Sequence, residues 1–168
     1  MSHESPQRQA SDGAVQYCTF KVDHLLIGIE VWRVQEVIRH QPMTSVPLAP
    51  REVRGLINLR GQIVTAIDVR LWLGLDRLPA ETPSMNAVIR LADEVVSLLV
   101  DEAGEVVEPA LETYEPVPST TPRQIRSLCS GTYKLEGSLL LVLDTESVSR
   151  ITPDHAVAPQ LAGTRRAS

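Results

Sequence analysis

Two charged residues stand where charge is not expected, and they are the first candidates for chemistry. Glu36 lies alone between Val34-Gln35 and Val37-Ile38, an acid inside an apolar stretch. Arg60 precedes Gly61 at a tight-turn position, where Asn or Asp would be conformationally easier. A guanidinium carries a permanent charge and a rigid fork of donors, which suits a carboxylate on a partner or on the chain itself. The plainer alternative is a pair of solvated surface charges. On the residues alone both readings stay open.

Other chemistries find less support. Asp68 and Asp144 each end an aliphatic run and precede a short helical candidate. An aspartate there accepts from the free N–H groups of a first helical turn, and its duplication argues for capping over catalysis. Cys129, in Leu128-Cys129-Ser130-Gly131, is the one thiol worth testing as a nucleophile. No GxSxG elbow accompanies it, and a thiol beside an apolar neighbour at a strand start reads as buried and inert. His3, His24, His40 and His155 are scattered, and neither CxxC nor HExxH spacing occurs. Phosphate-binding glycine loops are also missing. The expectation is no catalytic residue, no metal and no cofactor.

Composition narrows the partners. The formal net charge is −5 with no basic stripe, which argues against nucleic acid and gives no attraction to anionic membranes. No apolar run reaches the roughly 18–20 residues of a membrane span. Residues 1–13 lack the apolar core of a signal peptide. Cys18 and Cys129 are too few for a disulfide framework. A cytoplasmic protein without direct membrane insertion is expected.

The elements that must position Glu36 and Arg60 read mostly as short strands. Val15 to Phe20 alternates at period 2, Asp23-His24 supplies a turn, and Leu25 to Ile29 returns. Val31, Val34, Val37 and Ile38 fall at helical spacing, yet the stretch suits a strand equally well. Pro42, Pro47 and Pro50 exclude regular helix from 41 to 50. Leu56 to Leu59 and Ile63 to Ile67 form a hairpin around Arg60-Gly61, with a short helix over 69–74 and a linker over 75–84. Met85 to Leu91 and Val95 to Val100 are further strands. Residues 1–14 and 152–168 read as disordered ends.

Gly55 to Asp68 aligns without gaps on Gly131 to Asp144, an offset of 76 residues, sharing Gly, Leu, Gly and Asp with aliphatic matches between. Two copies of one β-unit follow. They are expected as five-stranded barrels of about 15–83 and 84–151, with strand exchange between them left open. Closure into barrels removes sheet edges, and two small units gain from a shared apolar interface.

The residues then resemble a known family. Ile29 to Val37 and Val53 to Arg70, the latter carrying Gly55, Asn58-Leu59-Arg60-Gly61 and Asp68-Val69-Arg70, resemble the CheW-like chemotaxis adaptors. Weaker likeness runs through Val100 to Val106 and Leu135 to Asp144, so that it spans roughly 15–151. The resemblance implies an all-β protein of two pseudo-repeated, interlocked five-stranded SH3-like β-barrels with short helices. It also implies a non-catalytic scaffold without cofactor. Such adaptors join the cytoplasmic tips of methyl-accepting chemoreceptors to the regulatory domain of a CheA-type histidine kinase, in receptor arrays at the inner membrane. Carried over, Val34, Glu36, Val37 and Arg60 are the receptor-binding positions and Gly55 the kinase-coupling one, with Glu36 and Arg60 paired. Thr65-Ala66, where a proline and an aliphatic residue are usual, and the bulky Trp32 depart from the pattern.

Three other readings compete. A CheW-like paralogue serves a pilus or other chemosensory pathway, or inhibits the kinase. An SH3-like barrel binding nucleic acid would show strongly salt-dependent affinity. A cysteine-dependent enzyme would lose turnover in Cys129→Ala.

Overall fold

A computed structural model describes residues 14–78 and 82–151. Residues 1–13 of the expected lead-in (1–14), residues 79–81 of the expected linker (75–84) and the expected tail from 152, with His3 and His155, lie outside them. The strands are β1 (Tyr17–Val22), β2 (Leu25–Glu30), β3 (Val34–Arg39), β4 (Val53–Leu59), β5 (Gln62–Asp68), β6 (Met85–Arg90), β7 (Val95–Val100), β8 (Glu102–Val107), β9 (Tyr114–Glu115), β10 (Cys129–Leu135) and β11 (Ser138–Leu143). Two one-turn helices, α1 (Val69–Trp72) and α2 (Arg123–Arg126), and three 3-10 turns complete the described chain.

The strands form two sheets, a six-stranded one in the order β8-β1-β2-β11-β10-β9 and a five-stranded one in the order β3-β6-β7-β5-β4. Most neighbours are antiparallel, but β2 runs parallel to β11 and β5 parallel to β7. These parallel pairings join strands distant in sequence. Taking the repeats as 15–83 and 84–151, the first hairpin of each, β1–β2 or β6–β7, sits in the sheet that holds the other's last hairpin. The architecture is the all-β pair of SH3-like barrels that the resemblance implies.

The repeat extends further than the gapless match. The pairing of β4 with β5 recurs as β10 with β11 at the offset of 76, including a bulge between Val53 and Gly55 that recurs between Cys129 and Gly131. The short β9 pairs with Thr132 and Tyr133 of β10, and its counterpart is the single bridge from Thr44 to Leu56.

The ambiguous stretch after β2 resolves as a 3-10 turn, Val31–Arg33, followed by β3. A bulge between Val34 and Glu36 explains its helical spacing. The extra residue turns Val34 and Val37 to the same side, where both pack on the main core, while Ile38 packs on a second cluster. An i, i+3 pattern therefore arises inside a strand.

That main core takes Phe20, Ile27 and Leu141 from the six-stranded sheet and Ile67, Ile89 and Leu98 from the five-stranded one. Val69 and Trp72 of α1 close it. Each barrel also has its own small cluster, around Ile57 and Val64 in one and around Tyr17, Tyr133 and Leu140 in the other. Because most apolar burial is shared, neither barrel holds a full core alone.

Gly55 sits where this packing is tightest. Its φ is +154°, and a Cβ there would lie 2.6 Å from the Thr44 carbonyl oxygen. Thr44 and Leu56 exchange backbone hydrogen bonds of 2.9 and 2.8 Å, so the carbonyl has little room to retreat. Gly55→Ala should therefore destabilise the fold by about 1–3 kcal/mol. A urea denaturation midpoint indistinguishable from wild type would contradict it.

Candidate functional site

Arg60 and Gly61 make a two-residue turn between Leu59 and Gln62. Their φ angles of 53° and 88° are both positive, as a type I′ turn requires. Asn58 steadies the turn, its Oδ1 accepting from the Gly61 N–H at 2.8 Å. In the equivalent turn of the second repeat only Gly137 has positive φ, and Glu136 does not. Arg60 thus holds a left-handed backbone that its counterpart avoids. A conformation unfavourable for a long side chain, kept without need from the repeat, points to a task for the side chain.

That side chain reaches back to Glu36. Arg60 Nη1 and Nη2 donate to Glu36 Oε2 and Oε1 at 2.5 and 2.6 Å, a two-pronged charge-assisted pair. Glu36 lies on β3 and Arg60 at the end of β4, the two terminal strands of the five-stranded sheet. The ion pair therefore bridges the seam where that sheet curls closed. Hydrogen bonding from Arg60 holds the Glu36 carboxyl below its usual range, and Glu36 in turn raises the guanidinium.

The Arg60 side chain is 68% exposed, so water screens the pair and its contribution to stability is small. Its consequence is orientation: one carboxylate and one guanidinium are fixed in a known geometry on the surface. Ile63 beside the turn is exposed, and so is Trp32, over whose ring the Arg33 guanidinium sits at 4.4 Å.

Among the positions singled out in the sequence, Glu36 and Arg60 meet directly. Val34 and Val37 share β3 with Glu36 but are half-buried and lean on the main core. Gly55 packs against Thr44 on β4, at the opposite end of the strand from Arg60. Asp68 and Asp144 are elsewhere. Asp68 Oδ1 accepts from the Leu71 N–H at 3.2 Å at the start of α1, and Asp144 Oδ1 from the Glu146 N–H at 3.1 Å at the last 3-10 turn.

One polar cluster was not anticipated. Arg70 of α1 donates through Nε and Nη2 to Asp101 at 3.0 and 2.8 Å, and lies 3.3 Å from Asp23. Asp101 also accepts from the Asp23 backbone N–H at 2.7 Å, while Arg54 holds Asp68 at 3.0 Å. The group ties α1, the β1–β2 turn and the β7–β8 junction together. In the sequence its signal was the Asp68-Val69-Arg70 ending of the matched segment; nothing in the spacing named Asp101 or Asp23 as the acceptors.

Burial alone would push the Asp101 carboxyl up, but the Arg70 guanidinium and the Asp23 N–H together hold it below the usual range. A carboxyl depressed on folding adds stability above its unfolded pKa of about 4, and that contribution is lost as pH falls through the folded value. Melting temperature should therefore drop between about pH 5 and pH 3, with a shallower drop in Asp101→Asn. Equal slopes for the two proteins would contradict the assignment.

The thiols look inert. Burial, helped by the nearby Asp144 charge, pushes Cys129 up to about 12, and burial also raises Cys18. Neither supplies thiolate at neutral pH. Among the described residues no group of three or more His, Cys, Asp or Glu side chains is placed to hold a metal ion. No helix among them is long and apolar enough to cross a membrane.

Comparison with known proteins places these features. Residues 16–152 match the model of the CheW-like domain. The chain is 26% identical over 141 residues to the chemotaxis protein CheW of Rhizobium meliloti, covering 84% of this chain and 91% of that one. It is 29% identical over 143 residues to the Bacillus subtilis chemotaxis protein CheW, covering 82% and 92%. The crystal structure of the scaffolding protein TtCheW from Thermoanaerobacter tengcongensis superposes with a TM-score of 0.70 at 23% identity, over 78% of this chain and 89% of that one.

Proposed function

The chain belongs to the CheW-like domain family, and from that premise we propose that it is a non-catalytic adaptor of chemotaxis signalling. It couples the cytoplasmic tips of methyl-accepting chemoreceptors to the regulatory domain of a CheA-type histidine kinase. It works in the cytoplasm, at receptor arrays on the inner membrane. The observation that carries this reading is the Arg60–Glu36 pair: a strained, exposed arginine locked to a carboxylate across the seam of a barrel. Such a pair adds little to folding, so its geometry is best explained by recognition.

In this reading Arg60 and Glu36 form the polar part of the receptor contact, and Val34 and Val37 set the position of β3 beneath it. Gly55 lets the Thr44 segment lie against β4 and so fixes the shape of the seam on which kinase coupling depends. An adaptor needs two faces that are occupied together, and each specific interface of this type buries on the order of 1,600 Å² in total. The test is calorimetric titration of the purified protein against a receptor-tip fragment and, separately, against the kinase regulatory domain. Saturable binding to each supports the adaptor; absence of binding to either one sinks it.

A further inference from the structure

The internal duplication brings the same three kinds of element together twice. The chain crosses between the sheets at Asp101, after β7, and at Val31–Arg33, after β2. At the first crossing stand the β1–β2 turn, Asp23-His24, and α1. At the second stand the β6–β7 loop, Leu91 to Glu94, and the last 3-10 turn, Thr145–Arg150.

The two places are filled differently. At the first, Arg70 reaches from α1 to Asp101 and Asp23, so that ion pairs tie the three elements together. A cavity lined by Arg70 and Asp101 holds only about 40 Å³. At the offset of 76 the counterpart of Arg70 is Glu146. A carboxylate cannot close onto Asp93 and Glu94 of the neighbouring loop as a guanidinium could, because like charges repel. Between these three elements a cleft of about 490 Å³ stays open. That is the volume of a small-molecule site, and it lies at a junction of two barrels, where such sites concentrate.

We infer that this cleft binds a small zwitterion with an aliphatic body, such as a free aliphatic amino acid. Both charges find partners. Arg33 and Arg150 supply guanidiniums, Asp93, Glu94 and Glu146 supply carboxylates, and Leu91 adds an apolar wall. Among the described residues Asp93, Glu146 and Arg150 enter no ion pair. Arg33 is held ready: its Nη1 donates to the Arg90 carbonyl at 3.2 Å, its Nε lies 3.4 Å from Glu30 Oε1, and the Trp32 ring packs on its guanidinium. A guanidinium fixed in advance loses little freedom on meeting a carboxylate. A purely anionic ligand would face three carboxylates, and a purely cationic one two guanidiniums. A molecule with one charge of each sign avoids both penalties. The acids do not form a metal site among the described residues.

The experiment titrates the full chain by calorimetry with L-leucine and with its two single-charge analogues, isocaproate and isoamylamine, and follows the melting temperature with each. One L-leucine per chain is expected to bind, with Kd on the order of 1 mM and each analogue at least about tenfold weaker. Two substitutions at exposed positions locate the site: Glu146→Arg, which installs the guanidinium of the first repeat, and Arg150→Gln. Each should weaken leucine binding at least about tenfold, with circular dichroism showing the fold intact. Neither heat nor a rise in melting temperature with L-leucine up to about 50 mM overturns the inference. An analogue binding as tightly as leucine overturns it too, since the cleft would then read a single charge. Leucine affinity unchanged in either variant places the binding elsewhere and has the same consequence. The adaptor reading stands or falls separately, because the cleft uses neither Arg60 nor Glu36.

Discussion

Arg60→Glu is expected to reduce affinity for the receptor-tip fragment by at least about tenfold while leaving the protein folded. The substitution places a carboxylate against Glu36 at the barrel seam, reversing the charge offered to the partner and removing the two-pronged pair. Because the side chain is largely exposed, the melting temperature should barely move. A second substitution separates recognition from turn geometry. Asn tolerates the left-handed φ of 53° better than Arg, so Arg60→Asn should raise the melting temperature by a few degrees. It should still lose receptor affinity, since Asn cannot span to Glu36. A protein stabilised and weakened by the same change would show that the arginine is kept for binding against a conformational cost. Receptor affinity intact in Arg60→Glu would remove Arg60 from the site.

Arg70→Ala is expected to have the largest effect on stability, about 2–3 kcal/mol. The guanidinium is mostly buried and neutralises Asp101 with Asp23 beside it, so its removal leaves Asp101 as a partly buried charge without its counter-ion. Urea denaturation of Arg70→Ala, Asp101→Asn and the double variant forms a cycle. The double variant should be less destabilised than the sum of the singles, because the second change removes the charge that the first leaves stranded. Additive losses would mean that Arg70 acts through packing of its aliphatic stem alone.

Much of the fold was legible in the sequence because the duplicated hairpins carry aliphatic runs and turn residues at matching places. Gly55 to Asp68 and Gly131 to Asp144 align without gaps because both hairpins have two-residue turns and bulges in the same place. The leading hairpins β1–β2 and β6–β7 could not be fixed at one offset, and the structure shows why. Their connections differ in length, Asp23-His24 against Leu91 to Glu94, so β6 begins 68 residues after β1 and β7 begins 70 residues after β2. β8 was not anticipated as a strand: nearly all of Glu102–Val107 is exposed, so no inward-outward alternation marks it.

The candidate site was half legible. An acid among aliphatics and an arginine in a turn are visible as anomalies, but their pairing depends on β3 and β4 being the two ends of one curled sheet, which no local pattern reveals. The bulge at Gln35 left β3 ambiguous between strand and helix by giving it helical spacing. The Arg70–Asp101–Asp23 group was missed because its three members lie on separate elements, each an ordinary surface charge by its neighbours alone.

The central claim is that one molecule of this protein holds receptor and kinase together. The most direct measurement is light scattering on size-exclusion chromatography of the protein mixed with a receptor-tip fragment and a CheA-type regulatory domain. The predicted result is a single peak with the mass of all three, which separates into two when this protein is omitted. Two distinct binary complexes with no ternary species, each partner displacing the other, would contradict bridging.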